Sequence, residues 1–389
     1  MSQPILPHAG QSGDDEHWML QAIALSDESL YVTTPNPRVA CLIVREGRLL
    51  ASGVTQAAGA PHAEIMALRQ AAERGVATQG ATFYVTLEPC SHHGRTPPCV
   101  EALIAAKPAR VMVGMTDPNP LVGGRGLARL KAAGIEVSGP LCAQEALAVN
   151  PGFIARMTRG TPWVWLKTAV SLDGRTALSN GVSQWITGAQ ARADGHHWRA
   201  RSCVVLTGAG TVRADDPLLN VREVQTPRQP IRAVIDTGLQ IPVDARLFDG
   251  SPVWVFTASE DTAKAQRLAA RNVRVIPMPL HRGRVHLPSV MQWLGAHEIN
   301  EVHVEAGSVL GGALIEAGCV DQLLVYLAPL LLGQGMPIAE LPVLQALDQA
   351  QRFEFFDTAA LGPDLRLLAR RPEVWRELLD SISALPDDR

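Results

Sequence analysis

The sequence has few cysteines and no long apolar run, and both absences narrow the class of protein. Six cysteines in 389 residues are too few for the disulfide framework of a small secreted domain. The longest apolar tract, Leu323 to Leu332, is interrupted by Pro329 and reaches only about half the length of a membrane-spanning helix. Residues Met1 to Glu16 show no basic segment followed by an apolar one. We therefore predict no secretory signal, no membrane contact and a cytoplasmic location.

The sequence also lacks an excess of charge of either sign. The formal net charge is −3, and 19% of the residues are charged. A surface that grips a polynucleotide needs clustered Lys and Arg, so we predict a small-molecule substrate and no nucleic-acid partner. No internal repeat is apparent, which argues against a solenoid. An apolar content of 47% in a chain of this length indicates more than one domain with a buried core.

Helix-like and strand-like segments alternate in the first half of the sequence. Strands are predicted at Ala40 to Val44, Thr82 to Thr86 and Val111 to Met115, and helices at Glu64 to Arg74 and Val100 to Ala106. Such alternation predicts an α/β protein. The strands are short and continuously apolar, which is typical of a sheet covered by helices on both faces. We therefore predict a three-layer α/β/α sandwich.

The second half repeats the alternation after a boundary that we place near residue 150. Asn150-Pro151-Gly152 interrupts a helical pattern, and Thr161-Pro162 precedes a new strand. Further strands are predicted at Ser202 to Thr207, Glu301 to Glu305 and Gln322 to Leu327. The predicted division is residues 1–149, residues 150–372 and a C-terminal tail of residues 373–389, to which we assign no chemistry.

Three short segments of the first half carry the residue types of a hydrolytic zinc site. Pro61-His62-Ala63-Glu64 supplies an imidazole and a carboxylate, whereas Glu88-Pro89-Cys90 and Pro97-Pro98-Cys99 supply two thiolates. A catalytic zinc has three protein ligands and one open position. Zinc deaminases combine His-x-Glu with two cysteines, and their glutamate is a general acid and base rather than a ligand. We therefore predict three ligands of Zn²⁺ and one catalytic residue: His62, Cys90 and Cys99, with Glu64.

The close spacing of His62 and Glu64 constrains where the zinc site lies. Residues two apart do not share a face inside a helix, so both reach one site only at a helix entrance, which Pro61 favours. Two alternatives stay open. A structural zinc with His92 or His93 as fourth ligand would make the chain a non-catalytic, nucleotide-binding regulator. The zinc residues alone would also suit a nucleic-acid deaminase with an accessory domain, although the net charge argues against it.

The motifs around this cluster resemble those of a known enzyme family. Eight residues separate Cys90 from Cys99, and Thr34-Pro35-Asn36-Pro37 and Asp117-Pro118-Asn119-Pro120 flank the cluster. Ser171-Leu172-Asp173-Gly174-Arg175 follows in the second half. Together they resemble the bifunctional riboflavin-biosynthesis deaminase-reductases over nearly the whole chain. The resemblance implies a cytidine-deaminase-like domain in residues 1–149 and a dihydrofolate-reductase-like α/β domain in residues 150–372.

The resemblance also implies the reactions, the cofactors and the partners. The first reaction is zinc-dependent deamination of 2,5-diamino-6-ribosylamino-4(3H)-pyrimidinone 5′-phosphate, and the second is NADPH-dependent reduction of the ribosyl group to a ribityl chain. The partner is thus a phosphorylated pyrimidine, and we expect a homo-oligomer. Asn36 matches the substrate amide of the deaminase. Ala40 stands where the family usually has Gly, and we expect deaminase activity to survive this change.

For the reductase domain, the resemblance implies two sets of binding residues. The substrate set comprises Lys167, Ser183, Arg199, Leu219, Arg222 and Glu305. The NADPH set comprises Ala169, Asp173, Trp185, Thr211, Asp215, Gly307, Ser308, Gly311 and Gly312. The last four open an apolar helix, where free N–H groups attract a pyrophosphate. Packing of that helix against the sheet is an alternative explanation of the glycines, and we assign no proton donor.

Overall fold

The computed structural model describes residues 15–93, 97–119 and 122–384. Gly94, Arg95 and Thr96, within the motif between the two cysteines, and Pro120 lie outside the described residues. The chain divides into two compact units, residues 1–158 together with 377–389, and residues 159–376. The division therefore falls after residue 158 rather than near 150. The reason is that Pro151 begins a helix, Pro151–Arg159, as proline is well suited to do.

The first unit is built on a five-stranded sheet. Its elements are α1 (Asp15–Ser26), β1 (Ala40–Arg45), β2 (Arg48–Val54), α2 (Ala63–Glu73), β3 (Thr82–Val85), α3 (Cys99–Ala106), β4 (Arg110–Val113), α4 (Arg125–Ala132), β5 (Glu136–Ser138), α5 (Ala143–Val149) and α6 (Pro151–Arg159). The strand order is β2-β1-β3-β4-β5. β1 pairs antiparallel with β2 and β3, whereas β3, β4 and β5 are parallel.

Helices cover this sheet in two groups, which confirms the predicted α/β class. α1 contacts β1, β3 and α5, whereas α2 contacts β1, β2 and α3, and α3 contacts α4. The first five residues of β1 and the last three of β3 and β4 are buried, as expected for strands covered on both faces. β2 was not predicted, because Arg48, Ser52 and Gly53 interrupt its apolar residues and its first two residues are exposed.

The second unit contains a larger sheet and a set of covering helices. Its elements are β6 (Trp163–Ser171), β7 (Arg175–Leu178), α7 (Ala189–Arg201), β8 (Val204–Gly208), α8 (Ala209–Asp215), β9 (Ile231–Ile235), β10 (Val253–Thr257), α9 (Thr262–Ala269), β11 (Val273–Pro277), β12 (Leu280–His281), β13 (Arg284–Val285), α10 (Leu287–Ala296), β14 (Glu301–Glu305), α11 (Ser308–Glu316), β15 (Gln322–Ala328), β16 (Gly335–Pro337), β17 (Glu354–Leu361) and β18 (Asp364–Arg370).

Nine strands form the main sheet of this unit in the order β11-β10-β9-β8-β14-β6-β15-β18-β17. The first seven are parallel, and β18 and β17 are added antiparallel. In register, Glu305 of β14 is opposite Lys167 of β6. The carboxyl ends of these neighbouring strands therefore meet at one edge of the sheet, where open α/β sheets bind their ligands.

The chain continues into a final helix, α12 (Pro372–Ile382). Its C-terminal part belongs to the first unit, where the carbonyl oxygen of Ile382 accepts hydrogen bonds from the backbone N–H and the hydroxyl of Thr116, at 3.2 and 3.1 Å. Within residues 15–93, 97–119 and 122–384, no helix combines the length and apolar character needed to span a bilayer.

Candidate zinc and reductase sites

The three predicted zinc ligands come together at the starts of two helices. His62 immediately precedes α2, and Cys99 is the first residue of α3. Cys90 lies in the loop between β3 and α3. The three potential ligand atoms all lie within 4.8 Å of one another. Because helix starts carry unpaired N–H groups and positive dipole ends, this arrangement favours thiolates.

The spacing of these donor atoms fits a tetrahedral zinc ion. Nδ1 of His62 is 3.3 Å from Sγ of Cys99 and 3.6 Å from Sγ of Cys90. Zinc bonds of about 2.0 Å to nitrogen and about 2.3 Å to sulfur, at tetrahedral angles, separate two such donors by about 3.5 Å. Among the described residues the cluster has no fourth member, and His92 and His93 are exposed. The geometry therefore favours an open, three-ligand site over a closed structural one.

Glu64 lies in the first turn of α2 and is 3% exposed. Burial raises the pKa of this carboxyl group to about 7, and the charge of Cys90 adds to the rise. A carboxyl group that titrates near neutral pH is suited both to accept a proton and to return it. Gly53 of β2 permits the close approach of α2, since a Cβ at this position would lie 2.5 Å from the carbonyl oxygen of Ala63.

A second buried carboxylate, Glu88, supports the loop that carries Cys90. Oε1 of Glu88 accepts hydrogen bonds from the N–H groups of Gly126 and Leu127, at 3.0 and 3.4 Å. Oε2 accepts from Asp117 and Gly124, at 3.2 and 2.9 Å. These donors include the start of α4, where a negative charge is stabilising. Through these hydrogen bonds, Glu88 links the loop that contains Cys90 to the segment Asp117-Pro118-Asn119.

Asn36 and Ala40 lie on either side of an anchored arginine. Asn36 is half-buried in a turn closed by its N–H bond to the carbonyl oxygen of Thr33. The side chain of Asn150 accepts from the N–H of Arg38 and donates to its carbonyl oxygen, both at 2.8 Å. Ala40 is the first residue of β1, so its backbone is extended and the methyl group imposes no strain.

In the second unit, three of the predicted substrate residues are brought together. Arg199 of α7 forms a two-pronged ion pair with Glu305 of β14, in which Nη2 is 2.9 Å from Oε2 and Nε also bonds Oε1. Lys167 lies opposite Glu305 on β6. Burial lowers the pKa of Lys167, although Glu305 opposes this shift. Burial alone would raise the pKa of Glu305, but Arg199 holds it well below its ordinary value.

Hydrogen bonds connect the segment that contains Leu219 and Arg222 to α7. Arg199 Nη1 donates to the carbonyl oxygen of Asn220 at 2.9 Å, and the N–H of Arg222 donates to Nδ1 of His196 at 3.2 Å. Leu219 is buried, whereas Arg222 is exposed and donates to Oδ1 of Asn220. A phosphate could therefore reach the guanidinium of Arg222 but not the side chain of Leu219.

The other predicted reductase residues are distributed over several segments. Ala169 is on β6, Ser183 and Trp185 follow β7, and Thr211 and Asp215 are on α8. Trp185 is 69% exposed, and the guanidinium of Arg192 lies 4.5 Å from its ring centroid. Asp173 accepts from the hydroxyl of Ser171 and from the N–H groups of Leu332 and Gly333, and these bonds, led by that of Ser171, lower its pKa to about 2.

The glycines at the start of α11 have different surroundings. A Cβ added at Gly307 would meet no atom within 4 Å, so its face is open to a ligand. A Cβ at Gly312 would instead collide with the carbonyl oxygen of Glu340, which explains this glycine by packing. Gly311 faces Leu166, and the hydroxyl of Ser308 donates to Oε1 of Glu340 at 3.0 Å. The nucleotide contacts of Ser308, Gly311 and Gly312 stay predictions.

Two family models match this chain in the same order as the two units. Residues 12–115 match the cytidine and deoxycytidylate deaminase zinc-binding region. Residues 162–367 match the RibD C-terminal domain. The riboflavin biosynthesis protein RibD of Escherichia coli strain K12 is 47% identical over 91% of this chain and 98% of its own length. The chain belongs to the RibD family.

Solved RibD structures share the whole fold. A structure of Acinetobacter baumannii RibD covers 92% of this chain and 98% of its own, with 42% identity and a TM-score of 0.84. A deaminase/reductase from Thermotoga maritima gives the same coverage, with 31% identity and a TM-score of 0.81. The chain is therefore a bifunctional RibD enzyme of riboflavin biosynthesis, with deaminase and reductase activities that use zinc and NADPH.

Four buried polar residues of this RibD protein received no role from the sequence: Glu88, Asn150, His196 and His303. Glu88 belongs to the motif Glu88-Pro89-Cys90, in which only Cys90 was assigned a role. The partner of Asn150 is 112 positions away, and such a distant pairing leaves no local signal. His303 lies in a strand that was predicted correctly as Glu301 to Glu305, and its alternation with Glu301 and Glu305 was the available signal.

Proposed function

We propose that this protein deaminates 2,5-diamino-6-ribosylamino-4(3H)-pyrimidinone 5′-phosphate in its first unit and then reduces the ribosyl group of the product in its second. The observation that carries the proposal is the convergence of His62, Cys90 and Cys99 within 4.8 Å, beside the buried Glu64. The relative from Thermotoga maritima is described as a diaminohydroxyphosphoribosylaminopyrimidine deaminase and 5-amino-6-(5-phosphoribosylamino)uracil reductase, which supports the choice of substrate.

For the deamination, we assign one role to each side chain of the zinc cluster. His62, Cys90 and Cys99 would hold the ion, and zinc bound there supplies a nucleophile at neutral pH by lowering the pKa of a water molecule. Glu64 would take up one proton as the nucleophile forms and return it to the departing amine. We assign Asn36 to the edge of the pyrimidine, since an amide can both donate and accept a hydrogen bond.

For the reduction, the side chains bind and orient the substrate. NADPH, when bound, would supply the hydride, and the residues of this unit would orient the opened sugar for the transfer. On the substrate side, the charged residues are Lys167, Arg199 and Glu305. The substrate set is completed by Ser183, Leu219 and Arg222. On the nucleotide side, the open face of Gly307 and the start of α11 suit the pyrophosphate. The remaining nucleotide contacts are Ala169, Asp173, Trp185, Thr211, Asp215, Ser308, Gly311 and Gly312.

Replacing Glu64 by Gln tests the deaminase half. The amide cannot take up the proton, so we expect ammonia release to fall at least about 100-fold. Zinc content should be unchanged, as should NADPH-dependent reduction when the deaminated product is supplied directly. Glu73→Gln is the matched control, because Glu73 is an exposed carboxylate on the same helix. Undiminished ammonia release from Glu64→Gln would contradict the assignment, and loss of zinc would make Glu64 a ligand instead.

The unaltered protein tests the substrate class. Zinc-loaded enzyme incubated with the diamino substrate should release ammonia, and added NADPH should then be oxidised. A nucleic-acid deaminase would instead be retained on single-stranded RNA or DNA, with a strong dependence on salt. No ammonia from the pyrimidine, together with such retention, would overturn the proposal.

We also propose that the enzyme is a cytoplasmic homo-oligomer. The supporting feature is the outer strand β17, which leaves one edge of the nine-stranded sheet without a further strand and exposes Phe355 and Phe356, at 69% and 41%. Sheet edges of this kind pair readily with a second copy of the same chain. Sedimentation of the wild type and of Phe355→Arg tests this, since a self-associating edge should be weakened by the charge.

A further inference from the structure

His303 is a buried titratable residue with no role in the chemistry described above. It lies at the centre of β14, its side chain is completely buried, and among the described residues Nδ1 has no hydrogen-bond partner and Nε2 has none of ideal geometry. An unpartnered polar group in a protein interior is costly, by about 1–3 kcal/mol. An apolar residue would therefore serve better if this position were only a part of the core.

The neighbours of His303 are two buried ion pairs. Side chains alternate along a strand, so Glu301, His303 and Glu305 share one face of β14. Glu301 pairs with Arg201, and Glu305 pairs with Arg199. His303 lies between them, and its Nε2 is 3.3 Å from Oε1 of Glu305. Its imidazole therefore reaches the same carboxylate oxygen that Arg199 holds.

The surroundings of His303 favour an uncharged ring. Burial lowers its pKa, and the positive charges of Arg199 and Lys167 act in the same direction, whereas Glu305 opposes them. Its cross-strand neighbours are Trp165 on β6 and Val205 on β8, which bring no charge. A neutral imidazole has one N–H donor, and Glu305 is the acceptor within reach of Nε2.

We propose that His303 is a positioning residue of the reductase site, whose Nε2–H donates to Oε1 of Glu305 and fixes this carboxylate opposite Arg199. The inference rests on the proposed placement of Arg199, Glu305 and Lys167 at the substrate. A completely buried ring does not touch the substrate, so His303 acts through Glu305. If the carboxylate turns away, Arg199 and Lys167 lose their shared partner, and small misplacements of this kind slow a reaction that depends on alignment.

Three substitutions separate positioning from packing. His303→Gln places an amide N–H where Nε2 was, His303→Asn has an amide too short to reach Glu305, and His303→Leu has no donor. Each variant is measured as the full, zinc-loaded chain for reductase kcat and KM, for deaminase activity and for thermal unfolding. The deaminase activity of the same sample is the internal control for folding and concentration.

We expect reductase kcat/KM for the pyrimidine substrate to fall about tenfold in the Leu and Asn variants, the loss expected for one hydrogen bond to a charged group. The Gln variant should retain most of the activity. KM for NADPH and deaminase activity should stay unchanged throughout. His303→Leu should unfold at the same temperature as the wild type or higher, because it removes the buried Nδ1, which has no partner even when Nε2 bonds Glu305. Activity and stability then change in opposite directions.

A Leu variant as active as the wild type would overturn the inference, as would equal losses in the Gln and Leu variants, which indicate packing alone. Absence of NADPH oxidation in the unaltered protein would instead reject the proposed reductase site, and the inference with it. These failures are distinguishable because the wild type is assayed alongside each variant.

Discussion

His196 illustrates how a single neutral side chain holds part of the reductase site. Its Nδ1 accepts the N–H of Arg222, which requires a free lone pair and therefore an uncharged ring. Burial lowers the pKa of His196 to about 4, and Arg199 and Arg222 reinforce the shift. Protonation would break the bond to Arg222 and place a positive charge beside two arginines.

A pH dependence of stability follows from this histidine. Its pKa is about 4 in the folded chain and about 6.5 in the unfolded chain. Between these values the unfolded state binds the proton and the folded state does not, so stability is lost as the pH falls from about 6.5 towards about 4. His196→Asn keeps an acceptor but cannot titrate, and we expect a smaller fall in the unfolding temperature between pH 7 and 4.5.

The matched control for this prediction is His197→Asn, because His197 is adjacent on α7 but exposed. Its unfolding temperature should follow that of the wild type at each pH. Identical pH profiles for the wild type and His196→Asn would show that the ring is not kept neutral by folding.

The sequence alone predicts the role of a residue when that role depends on a short motif around it. His62, Glu64, Cys90 and Cys99 form short motifs of characteristic composition, and they were predicted as a group before any geometry was known. Asn150 and His196 bond backbone groups 112 and 26 positions away. Nothing in the residues beside them encodes such partners, because many folds could place different backbone groups there.

At the scale of elements, Glu88 joins a loop to a helix. Four backbone N–H groups from residues 117–127 converge on its carboxylate, so the loop with Cys90 and the start of α4 are held as one body. A carboxylate that accepts several N–H bonds is difficult to replace, since an amide offers one acceptor oxygen rather than two.

Glu88→Gln should therefore weaken the zinc site without removing a ligand. We expect the first unit to lose about 1–3 kcal/mol of stability, with weaker zinc retention during dialysis against a chelator. NADPH oxidation should be normal when the deaminated product is supplied. Glu101→Gln is the control, since Glu101 forms an exposed ion pair with Arg129, and such pairs contribute little. Equal zinc retention in both variants would contradict a supporting role for Glu88.

Elements were predictable where apolar residues run continuously. Strands β4 and β8 are close to the predicted ranges, because buried parallel strands are mostly apolar. β17 and β18 were not predicted. Residues of β17 alternate between exposed and half-buried, and they belong to the antiparallel border of the sheet, where one face meets solvent and the pattern of composition is weaker.

At the scale of the whole molecule, the first unit draws on both ends of the described chain. Residues 377–389 belong with residues 1–158. Within them, Leu378 and Ile382 are buried, and the carbonyl oxygen of Ile382 accepts two hydrogen bonds from Thr116. Thr116 directly precedes Asp117, which Glu88 holds. The segment that we expected to be a tail without chemistry thus supports the deaminase unit.

Ending the chain after Arg376 should consequently impair deamination more than reduction. Loss of two buried aliphatic side chains destabilises the first unit by roughly 5 kcal/mol, and we expect less bound zinc and little ammonia release. NADPH oxidation should persist when the deaminated product is supplied as the substrate. A chain that ends at residue 384 serves as control, because it retains Leu378 and Ile382. Equal deaminase activity in both truncated proteins would show that the segment is dispensable.

This arrangement also has a consequence for synthesis on the ribosome. Residues 1–158 emerge early, yet the segment that completes their core is translated only after more than 200 residues of the second unit, 159–376. The apolar surface of the first unit that this segment covers therefore stays exposed while the second unit is synthesised and folds. Separating the two activities onto two polypeptides would require that short C-terminal helix to be carried over to the first of them.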